Sequence, residues 1–158
     1  QAEGQQFWSS NNITEVRSRG LEQRVSGQFR LQNWHFQAQI GYDYTRSTNE
    51  KSLTKPKIEA GAQLWYVPVH QAFGSASAAW KGIFLQYQHR YTGVVKGISD
   101  PLKSFDLGNI RAQYALKRSK ANGHLFFQFN NLWNKNYRVV ERRPMPGRSF
   151  QVGLVIGY

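Results

Sequence analysis

Apolar and polar residues alternate along most of this chain, and a period of two marks β-strands whose opposite faces meet different surroundings. From about Arg17 to Leu31, Leu21, Val25, Phe29 and Leu31 fall on one face, while Glu22, Arg24, Ser26, Gln28 and Arg30 fall on the other. Gln32-Asn33 makes a tight turn. The next strand runs from Trp34 to about Arg46, with Trp34, Phe36, Ala38, Ile40, Tyr42 and Tyr44 opposite His35, Gln37, Gln39, Gly41 and Asp43. A polar stretch, Ser47 to Val69, holds Pro56 and Pro68 and reads as a long loop. His70 to Trp80 is a strand of small residues, turned by Lys81-Gly82 into a strand from Ile83 to about Lys96. After the turn cluster Gly97 to Pro101 come Ser104 to Leu116, a basic turn from Lys117 to Gly123, and His124 to Asn130. A loop from Asn131 to Gly147 leads to the last strand, and Met145-Pro146-Gly147 predicts a turn with positive φ at Gly147.

In that last strand Phe150, Val152, Leu154 and Ile156 share one face, while Ser149, Gln151, Gly153, Val155 and Gly157 share the other, and Tyr158 follows. Outer-membrane β-barrels end in this way, one face suiting lipid and the other a wet lumen. Alternation alone also fits a soluble β-sandwich, but three features favour a barrel. Several windows run for about 12 to 14 residues, where soluble strands have about 5 or 6 and membrane strands about 9 to 11. Short turns alternate with long loops, as periplasmic turns and extracellular loops do. Aromatic residues gather near strand ends, with Trp34 and Trp80, next to the aliphatic Ile83, beside the short turns and Tyr42, Tyr44, Tyr87 and Tyr91 toward the loops, predicting two girdles.

Composition agrees. A 158-residue chain that is 40% hydrophobic and 15% aromatic can build a folded domain. It has no run of 18 apolar residues and hence no transmembrane helix; its mean hydropathy of −0.62 suits strands that hide apolar residues at every second position. No cysteine is present, which removes disulfides and thiolate metal sites. The first residues, Gln1 to Gln6, show no signal peptide, so the expectation is either an exported protein that has lost one or a chain that starts inside a gene. The net charge of +12 raises the alternative of a basic β domain that binds nucleic acid. The cations are scattered, with Lys51, Lys55 and Lys57 in one loop, Lys117, Arg118 and Lys120 in a turn, and Arg138, Arg142, Arg143 and Arg148 in another loop, which argues against a nucleic-acid stripe.

The pattern yields seven strands. Bacterial single-chain barrels have even numbers from 8 upward, and an open sheet in lipid would leave an unsatisfied edge. Either one strand precedes Gln1, as in a complete small eight-stranded barrel with a structural or adhesive role, or the chain is the C-terminal portion of a larger barrel. No G-x-S-x-G or P-loop occurs, and His35, His70, His89 and His124 lack metal-ligand spacing, so no enzyme activity, metal or cofactor is expected.

Asn130-Asn131-Leu132-Trp133-Asn134-Lys135-Asn136-Tyr137, continuing through Arg142-Arg143-Pro144-Met145-Pro146-Gly147-Arg148-Ser149-Phe150 to Tyr158, resembles the C-terminal end of TonB-dependent outer-membrane receptors. Asn11-Asn12-Ile13 with Val16 to Glu22, Val67-Pro68-Val69-His70, and Tyr87-Gln88-His89-Arg90-Tyr91-Thr92-Gly93 resemble earlier segments of the same family, so the resemblance spans nearly the whole chain. Trp133, where the family often has Phe, and the final Gly157-Tyr158 depart from its pattern.

The resemblance implies an all-β fold, the C-terminal seven strands of a plugged, 22-stranded transmembrane antiparallel β-barrel in the bacterial outer membrane. Such a barrel imports a scarce ligand, a ferric siderophore, haem or cobalamin, with energy from the TonB complex. The plug that contacts TonB is not in this chain. The expected partners are outer-membrane lipid and lipopolysaccharide, the remaining barrel strands and the plug, and not nucleic acid. Gln151, Gly153, Ile156 and Tyr158 then form the signal read by the barrel-assembly machinery. Glu22, Arg24, Arg30, Asp43, Arg90 and Arg111 are expected to face the lumen, in cross-strand pairs and hydrogen bonds with the plug. Trp8, Trp65, Tyr66, Arg142 and Arg143 fall in expected outer loops and are candidates for ligand or lipopolysaccharide contact.

Overall fold

The computed structural model describes residues 15–54, 57–118 and 121–157. They form β1 (Val16–Leu31), β2 (Trp34–Asn49), β3 (Leu53–Thr54), β4 (Lys57–Ile58), β5 (His70–Trp80), β6 (Ile83–Thr92), β7 (Phe105–Arg118), β8 (Ala121–Asn130), β9 (Arg138–Val140), β10 (Arg143–Pro144) and β11 (Ser149–Gly157). Seven of these make one antiparallel sheet in the order β1-β2-β5-β6-β7-β8-β11, and β1 and β11 are its two edges. The all-β class and the seven main strands expected from the alternation are present, and no described residue is helical.

Residues directly opposed in an antiparallel pair share a face, and the register carries the alternation across the whole sheet. One row reads Phe29, Phe36, Ala78, Leu85, Ala112, Phe127 and Val152 from edge to edge. The neighbouring row, on the opposite face, reads Gln28, Gln37, Ser77, Gln86, Arg111, Gln128 and Gln151. Apart from Trp133 over Gly108 at the loop end, the described residues leave the apolar face largely open: Phe150 is 70% exposed, Val25 66% and Ile40 63%. Its aromatics pack along the sheet instead, with Phe29 on Phe36 at 4.7 Å and Trp34 on Trp80 at 5.6 Å between ring centroids.

The ends of the sheet differ. At one end the turns are tight, and Lys81 (φ 44°) with Gly82 (φ 87°) supplies the two left-handed residues that a type I′ hairpin needs. At the other end the long connections fold back and enclose the few buried apolar side chains among the described residues, Ile58, Val95, Leu102 and Phe105. Strand boundaries move for the same reason. β2 continues past Arg46 to Asn49 because Asn49 N–H finds Ala62 O (3.0 Å) and Thr48 bridges to Gln63. β6 stops at Thr92, short of Lys96, because Gly93 N–H turns back to His70 O (2.8 Å) and Val95 and Leu102 exchange backbone hydrogen bonds at 3.0 and 2.8 Å. Each expected loop holds a short hairpin, β3-β4 and β9-β10.

The expected positive φ at Gly147 is not found. Left-handed backbone in this corner falls on Asn131 (φ 51°), Asn134 (φ 49°) and Arg142 (φ 60°). Asn131 holds the corner: buried, it accepts at Oδ1 from Lys135 N (2.8 Å), donates through Nδ2 to Lys135 O (2.9 Å), and donates its backbone N–H to Asn109 Oδ1 (3.0 Å). Asparagine tolerates the left-handed region and can bond locally, so the turn forms without glycine.

Two glycines on the polar face are there for space. A Cβ on Gly41 would collide with the Phe73 ring, and one on Gly153 with the Phe126 ring. Each phenylalanine ring occupies the space left by the glycine opposite it on the next strand, covering the bare backbone. Gly41→Val and Gly153→Val are therefore expected to cost about 1–3 kcal/mol each by overpacking, whereas Gly27→Ala, with nothing within 4 Å of its Cβ position, costs little. Thermal unfolding of the full-length protein measures this, and an equal loss at Gly27 contradicts the ring-over-glycine account.

Candidate functional site

The six polar residues singled out in the sequence, Glu22, Arg24, Arg30, Asp43, Arg90 and Arg111, all project from the polar face of the main sheet. Strand alternation puts them there, and pairing then sorts them. Arg24, Asp43 and Arg90 line one concavity of about 530 Å³, together with Gln71, Phe73 and Asn109. Across its floor runs a single row, Arg24, Gly41, Phe73, Arg90 and Leu107. The Arg24 guanidinium sits over the Phe73 ring at 5.5 Å, an arrangement open to it only because Gly41 between them has no side chain.

Arg111 occupies a separate, smaller hollow of about 130 Å³ with Gln86, Gln88, Asn109 and Gln128. It repeats the Arg24 pattern, with its guanidinium 5.2 Å from the Phe126 ring that covers Gly153. With the amide oriented to satisfy both groups, Gln113 Oε1 accepts from Arg111 Nη2 and Nε at 2.7 and 2.8 Å. Arg30 stands apart near the tight turns, opposite His35.

The carboxylates are the anomaly of this face. Glu22 and Asp43 are direct cross-strand partners, an unfavourable like-charge pairing. Glu22 has an exposed partner in Arg24 at 3.8 Å, but Asp43 Oδ1 is sealed from solvent and has no hydrogen-bond donor among the described residues. An unpaired buried carboxylate oxygen is costly. Asp43, Arg24 and Arg90 together form a charged, hydrogen-bonding recess that can receive donors and anionic groups. Among the described residues, no cluster of His, Asp and Glu is arranged to hold a metal ion.

The loop candidates are at the opposite end from the tight turns. Trp65 and Tyr66 are half-buried, while Arg142 and Arg143 are exposed in the β9-β10 hairpin. Their loops are tied through the segment between β6 and β7. Tyr66 N–H donates to Lys96 O (2.8 Å), and Glu141 Oε1 accepts from Ser99 N (2.8 Å) and Asp100 N (2.9 Å). Trp8 and Tyr158 lie outside the described residues. Gln151 and Gly153 are on the polar face of β11 and Ile156 on the apolar face. Two features escaped the sequence pattern: the Asn131 corner and the Glu141 clamp. Gly97, where a Cβ would strike Glu141 Oε1 and Asp100 O, was the available signal for the clamp.

The Asp100 amide, opposed by desolvation and aided by the Ser99 and Ile98 amides and the Arg142 charge, holds the Glu141 carboxyl below its ordinary value of 4.5. A depressed folded pKa means that the clamp is fully formed above about 4.5 and is lost as pH falls through the lower folded value. Hydrogen exchange at the Ser99 and Asp100 amides is expected to be faster in Glu141→Ala than in the parent protein near neutral pH, and the two should converge once Glu141 is protonated. Equal exchange at neutral pH contradicts the clamp. Compared with known protein families and with characterised proteins, the chain matches none.

Proposed function

We propose that this sheet is the C-terminal part of a TonB-dependent outer-membrane receptor barrel, an uptake transporter for a scarce ligand such as a ferric siderophore, haem or cobalamin, and not an enzyme. One observation carries the membrane reading: the edge-to-edge apolar row lies back to back with the edge-to-edge row of glutamines, serine and arginine. A contiguous apolar face of seven long strands, left open, far exceeds the patches that soluble monomers expose. Lipid is the solvent that suits it.

The aromatic positions support the same reading. On the apolar face the Trp34–Trp80 stack lies at the tight-turn end, and Tyr42, Tyr44, Tyr91 and Trp133 lie toward the loop end, whereas Tyr87 stands level with Ala38 at mid-strand. From Trp34 to Tyr44 is about 33 Å along β2. At a tilt of roughly 40° that projects to about 25 Å, the height of the apolar band of a membrane barrel. Unpaired edges are not tolerated in hydrocarbon, so β1 and β11 would each pair with a further strand of the same barrel. The sealed Asp43 Oδ1 and the Glu22–Asp43 opposition support a plug packed on the polar face, supplying donors where the sheet has none. The assignment to the TonB-dependent family and its ligand class rests on the Asn130 to Tyr158 resemblance. In this reading Trp65, Tyr66, Arg142 and Arg143 are at the outer surface, where ligand arrives.

In the full-length protein, Ala38→Arg on the apolar face is expected to destabilise by about 2–4 kcal/mol near the bilayer midplane, while Gln39→Arg on the polar face is nearly neutral. A cysteine at Ile40 should react with a lipid-phase probe and resist a water-soluble one. Shielding of that cysteine from both probes means that protein covers the face, and the membrane reading fails.

Transport is tested separately. Cells lacking the gene are expected to lose uptake of one labelled ferric siderophore, haem or cobalamin, and the intact gene should restore it. Unchanged uptake of all three classes refutes the transport assignment while leaving the barrel standing.

A further inference from the structure

On the apolar face, one step beyond Tyr44 toward the loops, the charge pattern changes. Arg19 of β1 and Arg46 of β2 are direct cross-strand partners, both exposed. Because β1 and β2 pair without a slip from Val16–Asn49 to Leu31–Trp34, both arginines share the face of Leu21, Val25, Ile40 and Tyr44. Directly opposed side chains have Cβ atoms about 4.5–5.5 Å apart, and like charges so placed repel.

The described residues supply no counter-ion. The nearest carboxylate on that face, Glu50, is taken by Arg17 at 3.1 Å, and Glu15 pairs with Lys51 at 3.0 Å. No described acidic group is in ion-pair distance of Arg19 or Arg46. Around the pair stand Tyr44, Leu21 and the Tyr42–His70 couple, in which the Tyr42 hydroxyl meets His70 Nδ1 at 2.7 Å.

We propose that Arg19 and Arg46 form a binding site for the phosphate of a membrane lipid of the lipid A type, with acyl chains lying down the apolar face over Leu21, Val25 and Ile40. Two guanidiniums on adjacent strands offer planar forks of donors that match phosphate oxygens. One phosphate between them relieves their repulsion. A free inorganic anion would satisfy only the charges, whereas the exposed apolar row beginning at Leu21 continues the site toward a hydrocarbon tail. This inference rests on the membrane reading above and assigns a lipid contact to two residues outside the loop candidates.

The test uses the full-length protein in detergent micelles, with bis-phosphorylated lipid A, the same lipid stripped of phosphate, and inorganic phosphate as probes, read by native mass spectrometry. Lipid A is expected to bind, the dephosphorylated lipid at least about tenfold more weakly, and inorganic phosphate not to compete at equal concentration. The Arg19→Gln/Arg46→Gln variant should lose at least about tenfold in lipid A affinity, whereas Lys96→Gln/Lys103→Gln, with the same change in net charge, should not. Each single variant, Arg19→Gln and Arg46→Gln, tests the pair in a milder background and should fall between the parent and the double variant. Effective competition by inorganic phosphate overturns the lipid assignment. Unchanged lipid A affinity in a double variant that still inserts into the outer membrane overturns this proposal alone; a parent protein that does not partition with the outer membrane overturns the membrane reading and this site with it.

Discussion

Everything distinctive about this molecule depends on unbroken register. Side chains alternate with a period of two along a strand, so a slip of one residue in any pairing would transfer a strand's whole apolar set to the polar side. The six pairings of the main sheet run without such a slip, and two adjacent rows remain chemically pure from β1 to β11. The Trp34–Trp80 stack, the polar concavity and the Arg19–Arg46 pair each exist because of it. A packed interior does not enforce that register, since among the described residues the buried apolar side chains are confined to the loop end. Backbone ladders and neighbours on the same face do so, joined by whatever solvent or surface meets the apolar side.

Both faces carry their own devices against ambiguity. On the polar side, Phe73 over Gly41 and Phe126 over Gly153 are keyed positions, because the ring has room there only where the opposed residue has no Cβ. Each ring then carries a guanidinium, Arg24 or Arg111. On the apolar side, Gly108 lies under the Trp133 indole, so the loop after β8 is pinned to the sheet by an aromatic laid across a glycine there as well. These contacts join distant parts of the chain at single-residue precision, which is what long strands with repetitive polar sequence need.

Electrostatics divides the molecule in a way that net charge conceals. The +12 total is spread over loops, polar face and the rim of the apolar face, and each population has different company. Arg24 and Arg111 are stacked on rings, and Arg17 is matched by a carboxylate. Arg19 and Arg46 face each other, and Asp43 keeps an oxygen unsatisfied. In the proposed transporter these last two frustrations have natural resolutions on opposite sides of the sheet, a lipid phosphate outside and plug donors inside.

The alternation by itself determined the all-β class, the seven main strands and the facing of nearly every residue in them, because side-chain direction in a strand is a local property of the backbone. It placed Glu22, Arg24, Arg30, Asp43, Arg90 and Arg111 on one face for the same reason. Where strands end was a different matter. β2 gains Ser47, Thr48 and Asn49, and β6 loses the residues after Thr92, through hydrogen bonds to residues that are remote in sequence or that lie across a turn. Gly147 was the obvious turn residue, yet Asn131 took the left-handed conformation, since its side chain could also bond Lys135. Only the tertiary structure grouped Arg24 with Asp43 and Arg90 while leaving Arg30 and Arg111 elsewhere, and only register set Arg19 against Arg46. Direction along a strand is written residue by residue, but which residues become neighbours depends on how strands pair, and no local pattern contains that.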